Sequence, residues 1–379
     1  MDIDQESLDL HRAHHGKIEV KSKVPLNDRH DLSLAYTPGV ARVSIEIWKD
    51  RSLAREYTLK HNTVAIVSDG SAILGLGNLG AEAAIPVMEG KAALFKEFGG
   101  VDAFPICLAT QDTEEIIRTV RLIAPVFGGI NLEDISAPRC FEIERRLRAE
   151  LDIPVLHDDQ HGTAVVVLAG LINALGVRHR LPMSDTKIIM NGAGAAGLAV
   201  TDLLLQFGFS DVTVCDSKGI IGDDRTDLNK EKIAIAKRTN PRKLRGGLVE
   251  ALSGADVFIG VSKGNLLTAE MVKTMASQPI IFALANPTPE IMPGVAKAGG
   301  AFIVATGRSD YPNQVNNVLA FPGIFRGALD HQVREITDAM LMDAARALAA
   351  CVSDPTPEKI LPDAFDKSVV KAVAGAIKS

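Results

Sequence analysis

Residues 186–216 read "TKIIMNGAGAAGLAVTDLLLQFGFSDVTVCD". The apolar run "KIIM" passes straight into Gly192-Ala193-Gly194-Ala195-Ala196-Gly197, a G-x-G-x-x-G loop, and small, helix-compatible residues follow. A second apolar run, "DVTVCD", ends in Asp216 about 20 residues after the loop, the spacing of a dinucleotide-binding βαβ unit. The first glycine permits the tight turn, the second lets backbone N–H groups approach a pyrophosphate, and the third lets helix pack on strand. Gly192, Ala193, Gly194, Ala195 and Gly197 are therefore the expected contacts of an NAD-type cofactor. Asp216 is placed to accept hydrogen bonds from the adenosine ribose, which favours NAD. NADP carries a phosphate at that position, and Lys218 could pair with it, so NADP is tolerated.

Outward from this unit the same alternation continues in both directions. Upstream, "TVAIVS" (63–68), "DAFPICL" (102–108), "VFGGINL" (126–132) and "IPVLHDD" (153–159) read as strands separated by helical stretches. Downstream, "ADVFIGVS" (255–262), "PIIFALANP" (279–287) and "GAFIVATG" (300–307) read as further strands, and the chain is helical after residue 315. Strands alternating with helices indicate parallel α/β architecture. The expected organisation is an N-terminal α/β domain over 1–160 and a Rossmann-type domain with C-terminal helices over 161–379. "HGTAVVVLAGLINALGVRHR" (161–180) is the bridging, buried helix.

A second G-x-G-x-x-G lies in "ILGLGNLGAEA" (73–83). Its strand ends early, at "SDGS", so these glycines do not sit at a strand tip. The helix expected after it is broken by Pro86, which lacks the N–H that a helix interior needs. Gly75–Gly80 thus reads as a loop of exposed backbone amides, able to receive an anion but not a whole dinucleotide. Nor is "MEGKAA" (88–93) a phosphate-binding Walker loop, because Ile85 stands where glycine is required and Ala92 follows the lysine.

The chain carries 41 Lys+Arg against 47 Asp+Glu, a net charge of −6, so it has no cation excess with which to bind nucleic acid. Its start is polar and lacks the apolar core of a signal peptide. The longest apolar run, "TAVVVLAGLINALGV" (163–177), falls short of the ~20 residues of a membrane span. Four cysteines lie far apart without a CxxC pair. The expectation is a cytoplasmic protein with no membrane partner.

Two acidic pairs stand at strand ends: Glu133 and Asp134 in "INLEDI", Asp158 and Asp159 in "VLHDDQHG". Parallel strands of one layer end on one edge, so the pairs can converge, and hard carboxylate oxygens suit Mg²⁺ or Mn²⁺. Two acidic pairs at strand ends also serve as helix caps. "HDDQH" (157–161) mimics the spacing of a zinc hydrolase, but His157 closes a strand and the two histidines would not share a helix face. Lys91, in the apolar stretch "PVMEGKAALF", would have a depressed pKa and act as a base if held in a dry site near a metal. Otherwise it lays its stem along the surface. Tyr36 precedes rigid Pro38 and flexible Gly39, as expected where a loop positions a side chain; a packing role is the plainer reading.

Taken together, "LAYTPGVA" (34–41), "GLGNLG" (75–80), "EGKAALFKEFGGVDAFP" (89–105), "INLEDI", "PVLHDDQHGTA", "NGAGAAG", "FALANPTPE" (282–290) and "ATGRSDYPNQVNNVLAFPG" (305–323) resemble the short microbial malic enzymes, in order and over about residues 15–365. The resemblance implies oxidation of L-malate with NAD or NADP and a divalent cation, Mg²⁺ or Mn²⁺, then decarboxylation to pyruvate and CO₂. It implies that Tyr36 is the general acid and Lys91 the general base. Glu133, Asp134 and Asp159 would be the metal ligands, and Asp158 an acidic neighbour that tunes the lysine. Asn286 and Asn317 would hold substrate and nicotinamide. It further implies a catalytic N-terminal domain, a Rossmann-type domain after it, and a homodimer or larger assembly.

One departure stands out. Longer members of that family carry a substrate-gripping arginine just before "ILGLG", where this chain has Ser71 and Ala72. Backbone amides of the Gly75–Gly80 loop, or Arg308, are the candidates to hold the second carboxylate. The rival readings are another two-domain NAD(P)-dependent hydroxy- or amino-acid dehydrogenase, and a non-catalytic nucleotide-sensing module.

Overall fold

Four short apolar runs form the first sheet: β1 (Thr63–Ser68), β2 (Asp102–Cys107), β3 (Gly129–Leu132) and β4 (Val155–His157), in the order β2-β1-β3-β4 and all parallel. β1 is buried along its whole length, as expected of a central strand with both faces covered. The register sets Val67 beside Leu132 and Leu132 beside His157. The residues that follow, Glu133, Asp134, Asp158 and Asp159, therefore leave the sheet at one edge.

The computed structural model describes residues 3–178 and 182–378. Four N-terminal helices precede the sheet: α1 (Ile3–His14), α2 (Arg29–Ala35), α3 (Gly39–Lys49) and α4 (Leu53–Tyr57). None of them buries a residue. α5 (Ala81–Gly99) follows β1 in one piece, with Pro86 inside it. The expected break at Pro86 does not occur. The proline lies in the second turn, where its missing N–H removes a single bond, and Ala84, Met88, Ala92 and Phe95 anchor the helix in the core. Lys91 shares that buried face. α6 (Thr113–Ile123) and α7 (Arg139–Glu150) cover the other side, around Ile116, Val120, Ile143 and Leu147.

α8 (Asp158–Arg178) begins directly after β4 and starts with the second acidic pair. By length and composition it could cross a membrane, but Ala164–Leu171 are all buried within the protein. The helix end expected at residues 179–181 lies outside the described residues. β5 (Lys187–Asn191), β6 (Asp211–Asp216), β7 (Gly219–Ile220), β8 (Val257–Gly260), β9 (Ile280–Ala283) and β10 (Ile303–Thr306) form the second sheet, ordered β10-β9-β8-β5-β6-β7. Its pairings are parallel except for the short β7. α9 (Ala195–Phe207) joins β5 to β6 and packs on α8.

The last helices return to the first sheet. Phe321 and Phe325, on the helix Phe321–Asp330, meet Phe95 of α5 edge-on, with ring centroids 4.7 and 5.4 Å apart. One apolar cluster runs without interruption from α5 through α8 and α9 to these helices. The edge that carries the acidic residues is thereby held against the second half of the chain.

Candidate active site

Lys91 reaches the sheet edge from α5 and is buried. Its ammonium donates to Glu133 Oε1 at 2.8 Å and to Asp158 Oδ2, and it stands 4.1 Å from the centre of the Phe321 ring. Asn317, from the second half of the chain, donates its side-chain N–H to the same Asp158 oxygen. Asp159 Oδ2 accepts the backbone N–H of Asp134 at 2.8 Å, which ties the two acidic pairs together. Lys91, Glu133, Asp158 and Asn317 are joined by hydrogen bonds at this edge, and the Asp134–Asp159 contact stands beside them.

Electrostatics here are dominated by too many carboxyls for one ammonium. Burial, with Asp159 and Glu133 adding to it, pushes Asp134 up to about 9. Burial likewise carries Asp158 and Asp159 to about 6 despite the attraction of Lys91. Asp134 Oδ2 and Asp158 Oδ1 are buried without a hydrogen-bond partner. Lys91 departs from expectation. Burial alone would depress it, but Asp158 and Glu133 outweigh burial and hold its pKa above the ordinary lysine value.

Several residues that no motif singles out support this cluster. Asn131, inside β3, donates to Glu133 Oε2 at 2.8 Å and so orients the carboxylate that faces Lys91. Glu144 of α7 is buried and accepts the His157 backbone N–H at 2.9 Å, the Gln160 amide at 3.1 Å, and the His161 ring. It pins the β4–α8 junction on which Asp158 and Asp159 sit. The two histidines of "HDDQH" stand on different elements, β4 and α8, so the zinc-hydrolase geometry is absent. At Gly162 a methyl group would lie 1.9 Å from Asp158 Oδ1, so only glycine lets that carboxylate lie back along α8.

The 192–197 loop has the geometry its glycines call for. Gly192 has φ +125°, Gly194 caps α9 with open space where a Cβ would be, and a Cβ at Gly197 would lie 1.7 Å from the Gly192 carbonyl oxygen. Asp216 closes β6 beside it. Asn286 links the two halves, since its carbonyl oxygen lies 2.8 Å from where a Cβ of residue 75 would stand.

A family model described as "Malic enzyme, N-terminal domain" matches residues 15–148, and one described as "Malic enzyme, NAD binding domain" matches residues 160–378. The chain belongs to the malic enzyme family. Among its malic enzyme relatives, the bifunctional malic/malolactic enzyme of Bacillus subtilis is 54% identical over all of this chain and 92% of the relative. The NAD-dependent malic enzyme of Geobacillus stearothermophilus is 57% identical over 96% of this chain and 76% of the relative. A crystal structure of an NAD-dependent malic enzyme from Thermotoga maritima superposes with a TM-score of 0.96 at 52% identity, covering 98% of this chain and 99% of that one. The two-domain α/β fold expected from the sequence is that of this malic enzyme.

Tyr36 stands apart from the malic enzyme cluster. It caps α2, and its side chain is 68% exposed. Arg308 is engaged elsewhere, its guanidinium forked onto Asp310 at 2.8 and 2.7 Å.

Proposed function

We propose that the chain catalyses NAD(P)-dependent oxidative decarboxylation of L-malate to pyruvate and CO₂, with a divalent cation. The observation that carries this reading is the buried lysine between Glu133 and Asp158, on a sheet edge facing the dinucleotide half. A nucleotide-sensing module has no use for that arrangement. NADH or NADPH formation from L-malate, with and without Mn²⁺, tests it; malate oxidation indifferent to removal of divalent cations would refute it.

Glu133, Asp134 and Asp159 suit a hard divalent ion by donor type, and the raised pKa values of Asp134 and Asp159 mark carboxyls that lack a compensating cation of their own. Among the described residues, no three His, Cys, Asp or Glu side chains already converge on a common point. Lys91 instead bridges Glu133 and Asp158, and its ammonium covers part of the excess charge. A nicotinamide held at the 192–197 loop would supply the hydride acceptor for malate C2, and a cation held by Glu133, Asp134 and Asp159 would supply stabilisation of negative charge on the C2 oxygen.

Lys91 is the base for the C2 hydroxyl proton. Its neutral form is reached once the charge of the neighbouring carboxylates is taken up, because those carboxylates are what hold its proton. Asp158, which accepts from both Lys91 and Asn317, keeps the lysine nitrogen in place for the substrate. Phe321 closes the lysine off from water. For the second malate carboxylate we favour the Gly75–Gly80 loop over Arg308. The Leu76, Leu79 and Gly80 amides are used within the loop and on Gly70, which leaves those of Gly75, Gly77 and Asn78.

Tyr36 completes the chemistry by returning a proton to C3, and its exposure calls for a second copy. Val20, Trp48, Tyr36 and Leu34, on or beside helices α1–α4, are 90%, 82%, 68% and 64% exposed. So much unburied apolar surface on one segment marks an interface. In a symmetric dimer this segment packs on the partner and Tyr36 enters the partner's site. Four free cysteines suit a reducing cytoplasm.

A further inference from the structure

The carboxylate at the tip of β6 is already fully engaged. Asp216 Oδ1 accepts from Arg225 Nη1 at 2.7 Å and from the Lys218 backbone N–H at 2.9 Å. Its Oδ2 accepts from Lys232 Nζ at 2.6 Å and from Arg225 Nη2 at 3.3 Å. The remaining edge of Arg225 forks onto Asp227 at 2.9 and 2.8 Å, and the Lys218 ammonium reaches Asp227 at 2.8 Å. Three cations therefore meet two carboxylates, and the group carries one net positive charge. It sits at the strand end where this fold places the adenosine ribose of a dinucleotide.

A ribose hydroxyl that donates to Asp216 would have to displace an arginine or a lysine from it. A phosphate on that ribose is itself an acceptor, so it could share these cations with Asp216 and Asp227 without removing them from Asp216. Lys232 has one N–H on Asp216 and two left to give, and Lys218, 68% exposed and paired with Asp227, likewise has two left. Arg225, 15% exposed, is held rigid between two carboxylates, so little ordering is needed when an anion arrives. Burial would raise the pKa of Asp216, but Arg225 and Lys232 hold it lowered, so both cations keep a charged partner.

We infer that Arg225, Lys232 and Lys218 form a subsite for the 2′-phosphate of NADP, with Asp216 positioning the cations instead of accepting the ribose, and that NADP is the preferred cofactor. This rests on reading the 192–197 loop as the dinucleotide site. It reverses the NAD preference that Asp216 alone suggests, because the sequence distance to Arg225 and Lys232 hides their convergence on it.

Nucleotide-fluorescence titration of the purified protein with NADPH and NADH, without substrate, is the test. Wild type is expected to bind NADPH at least about tenfold more tightly, the scale of one charge-assisted hydrogen bond. Arg225→Ala and Lys232→Ala should each weaken NADPH about tenfold and leave NADH within about twofold, so retained NADH binding also reports an intact fold. Asp216→Asn should keep NADH affinity. Adenosine 2′-monophosphate should displace NADPH better than adenosine 5′-monophosphate does. NADH binding as tight as NADPH, with NADPH indifferent to Arg225→Ala and Lys232→Ala, overturns the inference, as does a tenfold loss of NADH in Asp216→Asn. Failure of both dinucleotides to bind overturns the reading of the loop itself.

Discussion

Replacing Gly162 by alanine adds one methyl group at the most confined point of the site. That carbon would stand 1.9 Å from Asp158 Oδ1 and 3.3 Å from the Asn317 Cβ. An ordinary carbon–oxygen contact is roughly 3.3 Å, so the carboxylate must retreat by more than about 1 Å. It has nowhere to go cheaply, being fully buried and bound to Lys91 and Asn317. Losing one charge-assisted hydrogen bond costs about 1.5–3 kcal/mol, and overpacking a core adds about 1–3 kcal/mol. Alanine's better helix propensity returns about 1 kcal/mol, which leaves a net loss of roughly 1.5–5 kcal/mol. Displacing Asp158 by that distance misaims Lys91, and kcat should fall on the order of 10²-fold. Steady-state kinetics with L-malate and thermal melts measure both effects, and a dinucleotide titration shows that the second half is intact. Wild-type kcat in Gly162→Ala would refute the argument that Asp158 is held against α8.

Lys91→Ala should lower malate oxidation by about 10²–10⁴-fold while dinucleotide binding persists, and stopped-flow measurement of reduced cofactor would show it. The raised carboxyls give a signed pH dependence. Between about 4 and 6 the unfolded chain releases protons that folded Asp158 and Asp159 retain, so metal-free stability falls as pH rises through about 6, and Asp134 extends the loss toward about 9. Stabilisation by Mn²⁺ should therefore be larger at pH 8 than at pH 5 in thermal melts; equal shifts would count against a metal on these groups. If Tyr36 acts across a dimer, Tyr36→Phe and Lys91→Ala proteins, each inactive, should regain about a quarter of wild-type activity when unfolded together and refolded at equal amounts, since half the dimers are mixed and each holds one complete site. No recovery, in a mixture shown to exchange subunits, would place Tyr36 and Lys91 in one chain.

What could be read from the sequence was what is local. The 192–197 loop follows from three glycines at fixed offsets between a strand and a helix, and the convergence of Glu133 with Asp158 follows from parallel strands ending on one edge. What depends on distant groups could not be read. Glu144 lies in "EIERRLRAE", where it looks like one more charge on a solvated helix, yet it is buried at the β4–α8 junction. Asn131 left a faint signal, an amide inside an otherwise apolar strand, where such residues are depleted. A dry, apolar stretch predicts a lowered pKa for Lys91; the direction is instead set by two carboxylates 42 and 67 positions away in sequence. Pro86 shows the converse, a strong local rule overridden by the apolar face of α5 packed in the core.

The central claim is that one site both oxidises malate and removes its C4 carboxyl. L-malate labelled with ¹³C at C4, incubated with the protein, Mn²⁺ and NADP⁺ or NAD⁺, decides it by product stoichiometry. Labelled CO₂, unlabelled pyruvate and reduced cofactor are expected in equal amounts. Reduced cofactor with the label retained in a four-carbon acid, or labelled CO₂ with lactate and no net reduced cofactor, would contradict it.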